Sequence, residues 1–428
     1  MKVKSIVAWL TLLAVQTAIG RAQTLDECRR LAREHHPAIR QYDLIAQTEQ
    51  YNLSNAARAW IPQLGLSAQA TYQSATPTYP DMLAAMLAAQ GVDMAGLRKD
   101  QYKIALDLNQ NIWDGGQSKA NRVAVQAEAD EQRRATDVDL YALEERVEDL
   151  YFGILLLDER IGQTEAQIAL LQSNFDKVRT YCRNGVAMQT DADAVEAELL
   201  SARQALQQAE VSRSSFRRML ELFIGQPLVD EHLPKPEVQA PQSLTSARPE
   251  LALFEAKVNR LTAREKAVTA TVMPRFNLFA QGYYGYPGLD MFQSMMSSDW
   301  TLNGIAGVRM QWNISAFYTK GNTLKTLRTA GEQIGVQKDI FLFNTQLQTM
   351  QEEGEITRLR NAMLDDGRIV ELRRSVRLAA ESQLANGVID MTDLLQKITD
   401  ETTAILNQNR HEIELLQATC RLKHTLNQ

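Results

Sequence analysis

The chain has 428 residues, 45% hydrophobic and 23% charged, with 46 Lys and Arg against 52 Asp and Glu for a net charge of −6. That balance works against nucleic acid as a partner, whose phosphates are held by clustered cations. Three widely spaced cysteines, Cys28, Cys182 and Cys420, are an odd number and make no disulfide framework; Cys28 and Cys420 could pair only if the chain ends meet, and isolated thiols on helices are the simpler reading.

From the start, MKVK is a cationic head, SIVAWLTLLAVQTAI an apolar run, and Gly20-Arg21-Ala22 a small-residue cleavage site, so residues 1–22 read as a secretory signal peptide. No Cys follows the run directly, so a lipid anchor is not indicated. Removing Lys2, Lys4 and Arg21 leaves 43 basic against 52 acidic residues, a net charge of −9. No later segment reaches the roughly 18 apolar residues of a membrane helix. The best candidate, YFGILLL (151–157), is hemmed in by Glu145, Glu148, Asp149, Asp158 and Glu159. Any membrane crossing must therefore use strands.

The mature chain reads as two halves of one plan. In residues 23–225, TLDE opens a medium helix, with Thr24 and Glu27 spaced as a capping box. Two strands follow at 62–73 and 102–113, then a long helix over 117–182, a turn, and a helix over 189–223. A linker covers 226–247. Residues 248–428 repeat the order, with a helix, strands at 274–285 and 304–315, a long helix over 320–385, a turn, and a helix over 392–427. Pro37 and Pro62 recur as Pro249 and Pro274, each 212 residues on, and the turn RNGVAMQTD (183–191) recurs as ANGVIDMTD (385–393), 202 residues on, so the chain carries an internal duplication. Each proline-free long helix would extend roughly 100 Å at 1.5 Å per residue. Leu143, Val147, Leu150, Ile154, Leu157 and Ile161, then Ile168, Leu171, Phe175, Val178 and Cys182, recur at spacings of mostly three and four. That is a heptad seam, so the helix packs lengthwise against others.

The strands are two-faced. In 64–72, Leu64, Leu66, Ala68, Ala70 and Tyr72 alternate with Gly65, Ser67, Gln69 and Thr71. In 104–112, Ile104, Leu106, Leu108 and Ile112 oppose Asp107, Asn109 and Asn111. Phe276, Leu278, Ala280 and Tyr284 oppose Asn277 and Gln281, with Phe279 and Tyr283 as exceptions, and Val308, Met310, Trp312 and Ile314 oppose Arg309, Gln311 and Asn313. One apolar and one hydrogen-bonding face over nine to ten residues is what a transmembrane barrel requires. A soluble sheet packed on helices would alternate as cleanly. The aromatic residues favour the barrel: Trp60, Trp113, Trp300 and Trp312, with Tyr72, Tyr102, Tyr283, Tyr284 and Tyr286, all lie in or beside these segments, as an interface girdle requires. Asp107, Asn109, Asn111, Arg309, Gln311 and Asn313 then line a wet lumen. Four strands leave two open edges, which lipid does not tolerate, so the chain must oligomerise to close.

At the two turns, Gly185 and Gly387 can take the left-handed conformation that ends a helix. Thr190 and Thr392 can cap the next helix, placing Asp191 and Asp393 in its first turn, where the dipole favours negative charge.

On TLDECRRLAREHHPAIR, ARAWIPQLGLSAQATY, NQNIWDGG (109–116) and the two Asn-Gly-Val turns with their Thr-Asp, in this order across nearly the whole mature chain, the sequence resembles the TolC-like outer-membrane efflux family. The resemblance implies an α+β membrane protein of the outer membrane of a Gram-negative bacterium, with a large periplasmic portion. Three chains, four strands each, would close one β-barrel, continued by a long periplasmic α-helical coiled-coil barrel. It implies an exit duct for efflux or type I secretion, set in outer-membrane lipid and docked onto a periplasmic adaptor and an inner-membrane pump of RND or ABC type. The turns, through Asn184, Gly185, Val186, Asn386, Gly387 and Val388, would touch the adaptor. Asp393, six residues after Gly387, matches a family aspartate of an acidic ring at the constriction; Asp191 has the same spacing from Gly185, and Asp390 could add charge nearby. The family's second ring aspartate is Gln396 here, and its latch Tyr and Arg are Leu384 and Ile389, so that latch does not carry over.

No catalytic constellation, cofactor site or metal motif is visible. His35 and His36 point different ways on a helix, and His411-Glu412 lacks a second His four residues after the first. The alternative is a soluble periplasmic coiled-coil adaptor or scaffold, which would explain the rods but not four two-faced strands. The transported substrate and the roles of the external loops expected at 73–101 and 286–303 are not written in the sequence.

Overall fold

The computed structural model describes residues 23–428 other than 92–95, 186, 231, 240, 242 and 244, so the signal peptide reading and Val186 lie outside the described residues. The elements are α1 (Leu25–His35), α2 (Arg40–Arg58), β1 (Gln63–Tyr72), α3 (Asp81–Ala89), β2 (Asp100–Trp113), α4 (Gln117–Arg183) and α5 (Gln189–Ile224). They continue with α6 (Pro249–Thr271), β3 (Arg275–Tyr286), α7 (Met291–Met296), β4 (Thr301–Gln311), α8 (Ala316–Ala385) and α9 (Met391–Leu426). Two compact units result, one from the residues through Asp43 with Arg133–Leu253 and Val336–Gln428, the other from Leu44–Gln132 with Phe254–Gly335. No helix among the described residues is long and apolar enough to cross a membrane.

The first unit is helical. Thr24 Oγ1 accepts from the backbone N–H of Glu27, starting α1, whose Leu25, Cys28 and Ala32 bury against α4. From α4 come Leu143, Val147 and Ile154 of the seam with Leu140 and Tyr151 beside it, and α5 and α9 add Leu220, Ile224, Ile413 and Cys420. The helices approach closely here: a Cβ on Gly153 would stand 2.5 Å from the Phe216 ring. Cys28 and Cys420 share this core as free thiols, and burial pushes them up to about 12 and about 11. The linker expected over 226–247 is strapped down. Leu228 and Leu233 enter the core, and the Tyr151 hydroxyl lies 2.7 Å from the Pro234 carbonyl oxygen. A second apolar cluster joins Leu171 and Val178 of α4, Val195 and Leu199 of α5, and Met391, Leu394 and Ile398 of α9.

The second unit holds one antiparallel sheet in the order β1-β2-β3-β4. β4 starts and ends earlier than the 304–315 segment. Its C-terminal end is set by Asn313, which sits in the turn into α8, where its side chain accepts from Ser315 Oγ at 2.7 Å and its carbonyl from the Ala316 N–H. Such local side-chain bonding competes with a strand. Asn313 is therefore outside the sheet face to which the sequence assigned it. Helices α3 and α7 lie within the segments left unassigned at 73–101 and 286–303; DMLAAMLAA consists largely of strong helix formers.

Candidate functional site

The sheet register places Asp107 opposite Gln281, and Asn111, Asn277 and Arg309 in one row across β2, β3 and β4. Asn109 pairs with Gln63 and with Phe279, and Gln311 with Arg275. Asp107, Asn109, Asn111, Arg309 and Gln311 thus share one face. A network crosses that face: Asp107 accepts from Ser67 Oγ at 3.2 Å and from Gln281 Nε2, and Lys103 Nζ donates to Gln281 Oε1 at 2.6 Å. The two aromatic exceptions belong to it as well. Lys103 lies over the Tyr283 ring at 4.4 Å and Arg309 over the Phe279 ring at 4.6 Å, each a cation on a π face. Sequence reasoning passed over Lys103 as a functional residue, although its odd position in β2 matches Asp107 and would have found it.

The opposite face is apolar and bare. Leu66 is 78% exposed and Leu302 82%, with Leu64, Ile104, Leu106, Val308 and Met310 also exposed. Leaving so much contiguous apolar surface in water is unfavourable at about 25 cal/mol per Å². Aromatic groups bound it at both strand ends. Trp300 packs on Tyr102 and Tyr284 at ring distances of 6.0 and 5.4 Å, and Trp113 on Phe276 at 5.8 Å. Tyr102 and Trp113 are eleven residues apart on β2, roughly 36 Å along a strand. Tilted about 45°, that run covers about 25 Å, the height of a barrel's apolar band between its girdles. β1 and β4 each pair on one side only among the described residues.

The two turns are built alike. Gly185 and Gly387 both have φ of 70°, and their N–H groups donate to the carbonyls of Cys182 and Leu384 at 3.0 Å. Asn184, Asn386 and Val388 are exposed beside them. The caps differ from the expectation. Thr190 and Thr392 stand inside the first turn of α5 and α9, as second residues. Asp390, with extended backbone, accepts from the Asp393 N–H at 2.9 Å, and Asp191 accepts from the Met188 N–H at 3.0 Å. A carboxylate one residue before the helix reaches the same donor a threonine hydroxyl would, so Asp390 caps α9, while Asp191, the third residue of α5, reaches back to the N–H of Met188 at the cap position. Asp393 keeps an exposed side chain.

A cavity of about 680 Å³ in the helical unit is lined by Arg29, Tyr141, Glu148 and His424 among others. Glu148, 2% exposed, lies 2.8 Å from Arg29 Nη2 and 3.5 Å from His424 Nδ1. Burial raises Glu148 to about 7 and lowers His424 to about 4. Arg29 is the counter-charge that makes the carboxylate tolerable there.

The sequence profile described as outer membrane efflux protein matches residues 28–226. Among curated proteins none matches. Solved structures match in fold. The outer membrane protein VceC of Vibrio cholerae has 15% identity and a TM-score of 0.69, covering 94% of this chain and 95% of that one. The outer-membrane channel OprN has 14% identity and a TM-score of 0.67, covering 94% and 89%. The MtrE outer membrane channel of Neisseria gonorrhoeae, in its open state, has 14% identity and a TM-score of 0.67, covering 94% and 89%.

Proposed function

We propose that the chain is a member of the outer membrane efflux protein family, whose profile matches residues 28–226, and that three copies join their sheets edge to edge into one twelve-stranded barrel. The protein is a channel and not an enzyme: an exit duct for efflux in the outer membrane, with a large periplasmic part. It works with adaptor and pump partners, as its family does; an inner-membrane pump of RND or ABC type is the finer assignment.

The observation that carries the oligomer is the four-stranded sheet with one wet face, one bare apolar face and two edges unpaired among the described residues. Each unpaired backbone group in lipid costs several kcal/mol, so an isolated sheet of this kind has no stable place in a membrane. Closing the ring turns Asp107, Lys103, Asn109, Asn111, Arg309 and Gln311 inward to water and Leu66, Leu302 and Val308 outward to hydrocarbon. The two halves, 23–225 and 248–428, are best understood as a duplication that supplies two strands and one helix hairpin each.

Asp393, Asp390 and Asp191 form the acidic constriction at the hairpin turns in this reading, and Asn184, Gly185, Val186, Asn386, Gly387 and Val388 meet the adaptor. Three copies of an exposed carboxylate gathered round one axis attract cations. Single-channel recording in lipid bilayers tests it: Asp393→Asn should change conductance and weaken block by divalent cations, and an unchanged record would remove Asp393 from the constriction.

A further inference from the structure

Helices α8 and α9 are joined near their turn by charge. Arg377, 14% exposed, donates through Nε to Glu401 and through Nη1 to Glu381 at 2.6 Å. The other Glu401 oxygen accepts from Arg374 Nε at 3.2 Å. Beside it, Arg373 Nη1 lies 2.9 Å from Asp400 Oδ2, whose second oxygen accepts from Gln396 at 2.9 Å. The apolar side of α9 here faces mainly the cluster with α4 and α5, to which Leu394 and Ile398 belong and α8 adds Ala380 and Leu384; farther from the turn the two helices share Ile356, Leu359, Ala418, Leu422 and Leu426. The α4–α5 hairpin differs. Near its turn it is seamed by Leu171, Val178, Val195 and Leu199, with the neutral partner Gln172 for Arg203 at 3.0 Å; its arginine–carboxylate pair, Arg213 with Asp158 at 2.9 Å, lies farther from the turn.

We propose that Arg373, Arg374 and Arg377 clamp α8 to α9 through Asp400 and Glu401, so that this hairpin moves as one piece and the clamp limits how far the turn bearing Asp390 and Asp393 yields. The clamp rests on the reading of that turn as the constriction of a duct. An apolar seam sets register by interdigitated packing, in which each single contact is non-directional. Arginine–carboxylate pairs fix both distance and orientation, which suits a hairpin that must transmit displacement without splaying. Glu401 is nearly buried, so loss of Arg377 leaves a charge in place with too little compensation. Arg373 and Asp400 are more exposed, and that pair weakens as salt shortens the screening length.

The test uses the full-length oligomer in detergent for amide hydrogen exchange, and in planar bilayers for current. Arg377→Gln should raise exchange in 374–385 and 391–404 by about tenfold or more, leave 171–199 at the wild-type rate, and increase current through the closed channel. Arg373→Gln should move both readouts the same way by less. Arg373→Asp combined with Asp400→Arg should return exchange towards wild type, and it carries the test if Arg377→Gln does not assemble. Unchanged exchange in Arg377→Gln and Arg373→Gln, or equal increases in both hairpins, would overturn the clamp. If neither the wild-type oligomer nor any of these variants passes current, the duct reading falls while the exchange comparison still decides whether the clamp exists.

Discussion

Helices α4 and α8 are 67 and 70 residues long, each follows a strand, and each ends in an Asn-Gly-Val turn, yet their own chain treats them differently. α4 buries Leu140, Leu143, Val147, Tyr151, Phe152 and Ile154 completely or nearly so. α8 leaves Val336, Ile340, Phe343, Leu347, Met350 and Leu364 exposed; it meets α9 through Ile356 and Leu359 against Ala418, Leu422 and Leu426 and, nearer the turn, through ion pairs. Equal length and similar composition therefore do not fix a helix's role; the direction in which its apolar residues point does. α4 faces a core complete within one chain, whereas α8 presents apolar surface that a neighbouring copy would cover.

Substitutions at matched sites sharpen that contrast. Phe152→Ala should cost about 3–5 kcal/mol of subunit stability, read by chemical denaturation. Phe343→Ala, at a position 60% exposed, should leave subunit folding nearly intact and instead shift assembly, read as the oligomer fraction on dilution. Equal effects at the two sites would end the distinction. Arg29→Ala strands the buried Glu148 beneath α1 and should cost about 3–5 kcal/mol in the same denaturation. Gly153→Ala forces a methyl group into the Phe216 ring and should cost about 1–3 kcal/mol. At the turns, Asp390→Ala should lose about 1 kcal/mol of helix capping, seen as faster exchange of the Asp393 amide, while Thr392→Ala leaves that amide unaltered. The smallest effect is chemical: a maleimide should label the half-buried Cys182 in the folded oligomer and reach Cys28 and Cys420 only after denaturation.

Much of this was legible because it rests on period. Alternation by two exposed the faces of β1–β4, and the heptad pattern exposed the side of α4 that is buried. The glycines of both turns were readable because a positive φ selects for them. What escaped depends on partners distant in sequence. Lys103 gains meaning only from Gln281 and Tyr283, which the register brings alongside. Arg377 and Glu401 are 24 residues apart, on two helices, so no local pattern marks them as a pair. The caps were misplaced for a local reason. Asp390 and Thr392 are both good capping residues, and only the extended backbone at Asp390 decides between them. Helices α3 and α7 were passed over because they interrupt segments that connect strands, where loops are the usual expectation.

The central claim is that one chain cannot seal its own sheet. The mass of the detergent-solubilised protein, measured by native mass spectrometry with the detergent stripped in the gas phase, tests it most directly. Particles of three chains that require detergent to stay in solution are the predicted result. A single chain, stable in buffer without detergent, would contradict the account.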